Sequence, residues 1–165
     1  RRPRGLAEAG IQDAILIGHR DGGSIELTHA GSNSTTRISA IITMAAHVFS
    51  ESQCAGSFLA ARDSYESGGM RDKLKKYLGD NVDTSFYGWY DIWAHPDFEY
   101  WNIEEFLPDI DIPALVIQGA DDEYGTLSQV EAIVAGIGPC SVSHDRCVCR
   151  NGKHGDKPVA SICIL

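Results

Sequence analysis

Residues 14–31, AILIGHRDGGSIELTHAG, decide the fold of this chain. The apolar run at 14–17 is typical of a short strand, and the spacing of apolar residues over 25–30 indicates a helix soon after it. The segment between them, GHRDGG at 18–23, has glycines on both sides. Glycine lets the chain turn sharply and lets a helix backbone approach a strand backbone closely. The stretch therefore predicts a strand, a sharp turn and a helix.

Two further apolar segments complete the predicted sheet. Residues 38–46 follow the first helix and are rich in β-branched residues, and residues 114–117 form a second short apolar run. A strand, a helix and a strand at this separation predict parallel strands joined by a right-handed crossover. Between the two segments, helical spacing at 55–67 and 70–78 predicts helices rather than strands.

The turn resembles a known catalytic motif. Its frame matches the nucleophile elbow G-x-S-x-G, and GHRDGG resembles the GHSDGG elbow of one subgroup of the α/β-hydrolases. Residues 88–133 also resemble that family, from its helical cap to the strand that carries the catalytic acid. The resemblance covers about 10–137. It implies a partial α/β-hydrolase fold: one domain, 1–165, that lacks the family's N-terminal strands, has about three to four parallel strands and carries a cap insertion at about 48–107.

The same resemblance assigns the positions of a catalytic triad. Arg20 stands at the nucleophile position, where arginine can neither attack a carbonyl nor relay a proton. Asp122 matches the acid, and the alternative is that it only caps the following helix. Asn151 falls at the base position. His154 matches a second, non-catalytic histidine, although a shifted loop would bring His154 or His144 toward Asp122 as an alternative base.

Three residues of the elbow need separate interpretation. The backbone N–H of Asp21 corresponds to one donor of the oxyanion hole in the family. Ser24 lies one helical turn beyond the elbow and should point away from it, so we do not expect it to act as a nucleophile. His19 is a usual elbow residue that we expect to pack against the sheet.

An aromatic block lies in the predicted cap. Its three tryptophans, Trp89, Trp93 and Trp101, would line an apolar substrate pocket for a small-molecule ester or acyl group, as the family resemblance implies. The alternative is that these rings pack the cap onto the core, which is the commoner role of buried aromatic side chains.

These substitutions predict a degenerate site. The resulting interpretation is an α/β-hydrolase-like protein that is inactive or weakly active in ester or acyl hydrolysis, with Arg20 ion-paired to Asp122 in the emptied site. One alternative is an active esterase-like hydrolase with a rearranged site. Another is a non-catalytic protein that binds a small anion through Arg20 at the helix N-terminus, or that acts in assembly.

Composition excludes other classes of function. A formal net charge of −9 argues against a nucleic-acid partner, and no apolar run approaches the ~18 residues of a membrane span. Without a visible secretory signal, we expect a cytoplasmic protein. Five cysteines, an odd number, indicate free thiols. Zinc binding by the tail, which contains Cys140, Cys147 and Cys149, is an alternative, but the spacing fits no common zinc pattern, so we expect no metal and no cofactor.

The ends of the sheet carry the last predictions. Without partner strands on one side, the strand from Ala14 to Ile17 would be an exposed edge, and such edges pair with other chains. We therefore expect a homo-oligomer through this edge, or a separate chain that covers it. Residues 140–149 are too polar for a buried parallel strand and should form an edge strand or an irregular segment. Residues 159–165 are interpreted as the start of a closing helix.

Overall fold

The computed structural model describes residues 8–32, 37–52 and 55–137, and the backbone of 147–150 and 158–164. The chain divides into two compact units, one made of Arg1–Phe49 and Asn102–Leu165 and the other of Ser50–Trp101. The strands are β1 (Asp13–His19), β2 (Arg37–Met44), β3 (Ala114–Gln118), β4 (Cys147–Arg150) and β5 (Pro158–Ile164). The helices are α1 (Asp21–Gly31), α2 (Ala55–Glu66), α3 (Met70–Leu78), α4 (Val82–Trp93) and α5 (Leu127–Gly136), with 3₁₀ segments at Gly79–Asn81, Pro96–Tyr100 and Glu104–Asp109.

The first unit contains the sheet, whose strand order is β1-β2-β3-β5-β4. β1, β2 and β3 are parallel, with Ile17 opposite Ile42 and Ile42 opposite Leu115. This agrees with the predicted α/β sheet of about three to four parallel strands. β5 runs antiparallel to both β3 and β4.

The core of this unit lies where α1 and α5 cover the sheet. α1 packs against β1, β2 and the Glu104–Asp109 segment, and α5 packs against β3 and the same segment. Fully buried apolar side chains come from α1, β2, the Glu104–Asp109 segment, β3 and α5: Leu27, Ile41, Leu107, Val116 and Ile133. Burial of these side chains stabilises the arrangement by roughly 1.5–3 kcal/mol for each one, so helix and strand positions next to the site are firmly held.

The second unit, Ser50–Trp101, is helical. Its interior is built on aromatic rings, with Tyr65 and Phe86 stacked at a centroid distance of 3.7 Å. The Tyr65 hydroxyl donates to Asp83, and Arg71 donates to both oxygens of the same carboxylate at 2.7 and 2.6 Å. The helices predicted at 55–67 and 70–78 are present as α2 and α3. The role of this unit as a cap stays a prediction.

The tail differs from expectation in one respect. The expected edge strand is confirmed for Cys147–Arg150, because β4 is the last strand of the sheet, while residues 140–146 lie outside the described part. The prediction that residues 159–165 begin a closing helix is wrong. Pro158–Ile164 is a strand, and it pairs antiparallel with β3, so that Leu115 lies opposite Ile164. A run of β-branched and apolar residues satisfies its backbone better beside an open strand than in a short helix stub.

Candidate functional site: the turn after β1 and the loop after β3

The predicted sharp turn is confirmed at Arg20, the single residue between β1 and α1. Arg20 has φ 56° and ψ −125°, a backbone conformation that residues other than glycine rarely adopt. Its N–H donates to the Met44 carbonyl at 2.9 Å, and its own carbonyl accepts from the Gly23 N–H at 2.8 Å. These bonds tie the turn to β2 and to the first turn of α1, and they hold Arg20 in a strained conformation.

Two glycines make this turn possible. A Cβ atom on Gly18 would lie 2.4 Å from the Gly22 carbonyl oxygen, and one on Gly23 would lie 2.7 Å from the Ala46 Cβ. Neither distance is compatible with a side chain, so the strand, turn and helix can approach as they do only with glycine at both positions.

The Arg20 side chain reaches the loop after β3. Its Nη1 donates to the Asp122 Oδ1 at 2.8 Å, and the side chains are 33% and 6% exposed, respectively. The same Oδ1 accepts from the backbone N–H of Tyr124 at 2.9 Å. The guanidinium carbon also lies 5.4 Å from the centroid of the Tyr124 ring. The ion pair predicted between Arg20 and Asp122 is therefore confirmed.

Buried polar contacts hold the loop that carries Asp122. The Gln118 side-chain amide donates to the Gly125 carbonyl at 2.8 Å, and the Asp122 N–H donates to the Gly119 carbonyl at 3.3 Å. A Cβ on Gly125 would lie 2.8 Å from the His47 ring. These hydrogen bonds and the close packing at Gly125 fix the position of the loop, and with it the position of the Asp122 carboxylate relative to Arg20.

The cavity beside this ion pair is acidic. It measures about 380 Å³ and is lined by Arg20, Gly119, Asp121, Asp122, Glu123 and Tyr124. One arginine faces three carboxylates there. Burial raises the pKa of the Tyr124 hydroxyl, the Glu123 carboxylate raises it further, and Arg20 opposes the shift. A neutral phenol is therefore the stable form of this side chain at the site.

Ser24 and His19, which lie close to Arg20 in the chain, differ in burial. Ser24 is buried. Its hydroxyl donates a hydrogen bond to the His47 carbonyl at 2.6 Å and accepts one from the His47 N–H at 3.2 Å. It serves to join α1 to the segment after β2, which agrees with the expectation that it is not a nucleophile. His19 is exposed, so the expectation that it packs against the sheet is wrong. The reason is that alternate residues of β1 point to a face that the described residues leave open.

Other predicted site residues lie elsewhere. Asn151, His154 and His144 are outside the described residues, so the base position stays a prediction. Asp21 is the first residue of α1, where a backbone N–H has no partner within the helix. The tail that suggested zinc is likewise outside the described side chains, and within the described residues no group of three or more His, Cys, Asp or Glu side chains forms a metal site.

The three tryptophans lie in the second unit, among other rings. Trp93 and Trp101 meet edge to face at 5.7 Å, and Trp89 meets Phe58 in the same way at 5.7 Å. Trp93 also lines a cavity of about 400 Å³, together with Phe58, Tyr90 and His95. The rings thus pack on one another, and their part in a substrate pocket stays a prediction.

Sequence reasoning missed two residues of the site, Tyr124 and Gln118. Tyr124 supplies a backbone donor to Asp122 and a ring face to Arg20. Its position two residues after an aspartate is a usual signal for a side-chain-to-backbone turn, which would have identified the donor. Nothing in the sequence indicates that the Gln118 amide would bond the Gly125 carbonyl.

Comparison with solved structures gives the fold. A bacterial membrane phospholipase A, described as a virulence factor, matches with a TM-score of 0.60 at 18% identity, over 80% of this chain and 49% of that one. MGS-M2, an α/β-hydrolase enzyme from a Medee basin deep-sea metagenome library, matches with a TM-score of 0.52 at 15% identity, over 81% and 57%. Proline iminopeptidase from Mycobacterium smegmatis matches with a TM-score of 0.51 at 17% identity, over 80% and 56%.

These matches show that the chain has a partial α/β-hydrolase fold, as the resemblance implied. The chain spans between 49% and 57% of the length of these three structures. No family model matches the chain, and no curated protein sequence is significantly similar to it. No helix among the described residues is both long and apolar enough to cross a membrane.

Proposed function

We propose that this chain is an α/β-hydrolase-like protein whose ester and acyl hydrolase site is inactive or only weakly active, because Arg20 stands at the nucleophile position. The ion pair between Arg20 Nη1 and Asp122 Oδ1 carries the proposal. Similar structures include a phospholipase and an iminopeptidase, so acyl transfer is the chemistry that such a site would have performed.

Acyl transfer needs an oxygen or sulfur nucleophile, a base and an acid that orients the base. Arginine is always protonated and only donates hydrogen bonds, so Arg20 cannot attack a carbonyl. Its guanidinium also pairs with the Asp122 carboxylate, the group that would orient a histidine if Asp122 were the triad acid. One substitution thereby disables two members of the triad, the nucleophile and the acid.

The backbone N–H of Asp21 would still point out of the helix N-terminus, as in an oxyanion hole. Such a donor accelerates a reaction only where charge develops on a substrate oxygen during attack. With no nucleophile beside it, the donor contributes little. Asn151 at the base position, if the resemblance holds there, removes the third member of the triad.

The competing anion-binding function is less favoured by the electrostatics of the cavity. An anion would have to displace Asp122 from Arg20 and then lie beside Asp121 and Glu123. Repulsion between the anion and these two carboxylates opposes its binding. A rearranged active hydrolase would need a base from the tail, such as His154, and a new nucleophile. The cytoplasmic location and the small-molecule ester or acyl ligand stay predictions.

Hydrolysis of p-nitrophenyl acetate and butyrate tests the proposal. The wild-type chain should give a rate within a few-fold of the buffer blank, and Arg20→Ala and Asp122→Ala should leave that rate unchanged. Asp121→Ala, which removes a neighbouring exposed carboxylate, is the matched control. Circular dichroism of each variant shows that the fold is kept. The proposal fails if the wild type cleaves either ester well above the blank and Asp122→Ala abolishes that activity while Asp121→Ala and Arg20→Ala retain it.

A further inference from the structure

β1 is the terminal strand of the sheet. β2 pairs with one side of it, and within the described residues no strand pairs with the other side. The strand is seven residues long and contains no proline. Its outer edge therefore presents backbone N–H and C=O groups to any second strand, without the proline or lysine that usually prevents such pairing. The register shift between Ala14 and Ile15 lies in the ladder with β2, where Ser39 is the extra residue.

The side chains of β1 alternate between exposed and covered positions. Asp13, Ile15, Ile17 and His19 are exposed, whereas the residues between them are half-buried or buried. Ile15 and Ile17 are 60% and 65% exposed. Two neighbouring isoleucines on the open face of an edge strand form an apolar patch for which water is an unfavourable environment.

The exposed face of β1 is complementary to itself. If two copies pair antiparallel about a two-fold axis at Leu16, Ile15 of each copy lies opposite Ile17 of the other. Asp13 then lies opposite His19, so a carboxylate faces an imidazole that can donate a hydrogen bond to it. The Ser39 hydroxyl of β2 already donates to Asp13, which holds the carboxylate on this face. Directly opposite apolar and polar pairs of this kind stabilise antiparallel strands.

We propose that β1 is a self-association edge, and that two copies of this chain pair their β1 strands antiparallel around Leu16. The partner is a second copy because the order Asp, Ile, Ile, His along the open face, set against its own reverse, places isoleucine opposite isoleucine and a hydrogen-bond acceptor opposite a donor. A two-fold interface uses the same patch on both copies, so the pairing of β1 with β1 closes on itself and does not propagate. Because one strand pair and four isoleucines form a small interface, association should be weak, in the micromolar range.

Sedimentation equilibrium from 1 to 200 µM tests the proposal directly. The wild type should shift from monomer to dimer over this range. The double variant that carries both Ile15→Lys and Ile17→Lys should stay monomeric throughout. Leu59→Lys with Tyr77→Lys is the control, since it places the same two charges at exposed side chains of the helical unit and should dimerise as the wild type does. A wild type that is monomeric at 200 µM would overturn the proposal, as would lysine variants that dimerise normally.

Mixing experiments test the register. Antiparallel pairing places position 15 of one copy opposite position 17 of the other, so Ile15→Lys mixed with Ile17→Glu should form a heterodimer. Ile15→Lys mixed with Ile15→Glu should associate at least tenfold more weakly. Equal association in both mixtures, or a preference for the second, would contradict the antiparallel register. Formation of the first heterodimer also shows that the single variants are folded.

Discussion

Glu26 is the residue whose replacement has the most calculable effect on stability. Glu26 lies on α1 and is only 4% exposed. Its Oε1 atom has no hydrogen-bond partner among the described residues. Burial raises the pKa of this carboxyl from 4.5 to about 7. The Oε1 atom of a carboxylate in this position is stabilised neither by water nor by a partner among the described residues, so burial favours the neutral form.

The sign of the pH effect follows from that pKa. The folded-state pKa of Glu26 lies above the unfolded value, so its contribution to stability is complete below about pH 4.5 and is lost as the pH rises through 7. Each unit of difference corresponds to about 1.4 kcal/mol, so the full loss above pH 8 is about 3 kcal/mol. Between pH 5 and pH 8 the expected loss is about 2.5 kcal/mol.

Glu26→Gln removes this titration while keeping the side-chain size. Urea unfolding at pH 5, 6, 7 and 8 should show that the free energy of unfolding of the variant varies less with pH than that of the wild type, by about 2.5 kcal/mol over the range. Glu131→Gln is the matched control, because Glu131 is an exposed glutamate on another helix of the same unit, α5. Its pH profile should follow the wild type.

Two results would refute this reasoning. Parallel pH profiles for the wild type and Glu26→Gln would mean that Glu26 does not titrate with a raised pKa. A wild type that becomes more stable relative to the variant as the pH rises would mean that the carboxylate has a partner, which would lower its pKa instead.

Three further predictions concern packing and charge. Gly31→Ala should lower the free energy of unfolding by about 3 kcal/mol in urea titrations, since its Cβ would lie 1.9 Å from the Phe106 carbonyl oxygen; an unchanged midpoint would contradict that contact. Gly88 is exposed within α4, and a Cβ added there would have no atom within 4 Å, so Gly88→Ala should raise the free energy of unfolding by about 0.5–1 kcal/mol. A lower free energy of unfolding in this variant would contradict that expectation. Hydrogen bonds from Arg71 lower the Asp83 pKa to about 2, so this pair stabilises the helical unit above pH 4 and ceases to do so as the pH falls toward 2. Acid titration by circular dichroism should show a smaller loss of helix over that range in Arg71→Met, and equal losses would count against the pair.

Most of the sheet could be predicted from local patterns. The glycines at 18 and 23 indicated the tight turn, because neighbouring atoms within 3 Å leave no room for a Cβ atom at either position. The apolar run of β3 likewise appears where it was expected. The tail was misread because an apolar run of seven residues fits a helix start as well as a strand, whereas the β-branched residues of 158–164 favour the strand that forms beside β3.

The site was partly predictable. Asp122 and its pairing with Arg20 followed from charge and motif position, because the carboxyl ends of the parallel strands β1 and β3 lie at the same edge of the sheet. The contacts of Tyr124 with both partners, and the brace from Gln118 to Gly125, depend on tertiary placement of a loop. The exposure of His19 depends on which elements cover the open face of β1, and local sequence does not determine that.

Labelling with a fluorophosphonate tests the central claim most directly, because the reagent reacts only with an activated serine hydroxyl or its equivalent. The Arg20–Asp122 ion pair predicts that intact-mass spectrometry of the wild-type chain shows no adduct after prolonged incubation. A stoichiometric adduct on a serine, lost in Asp122→Ala and retained in Asp121→Ala, would show that a working nucleophile and acid remain and would contradict the account.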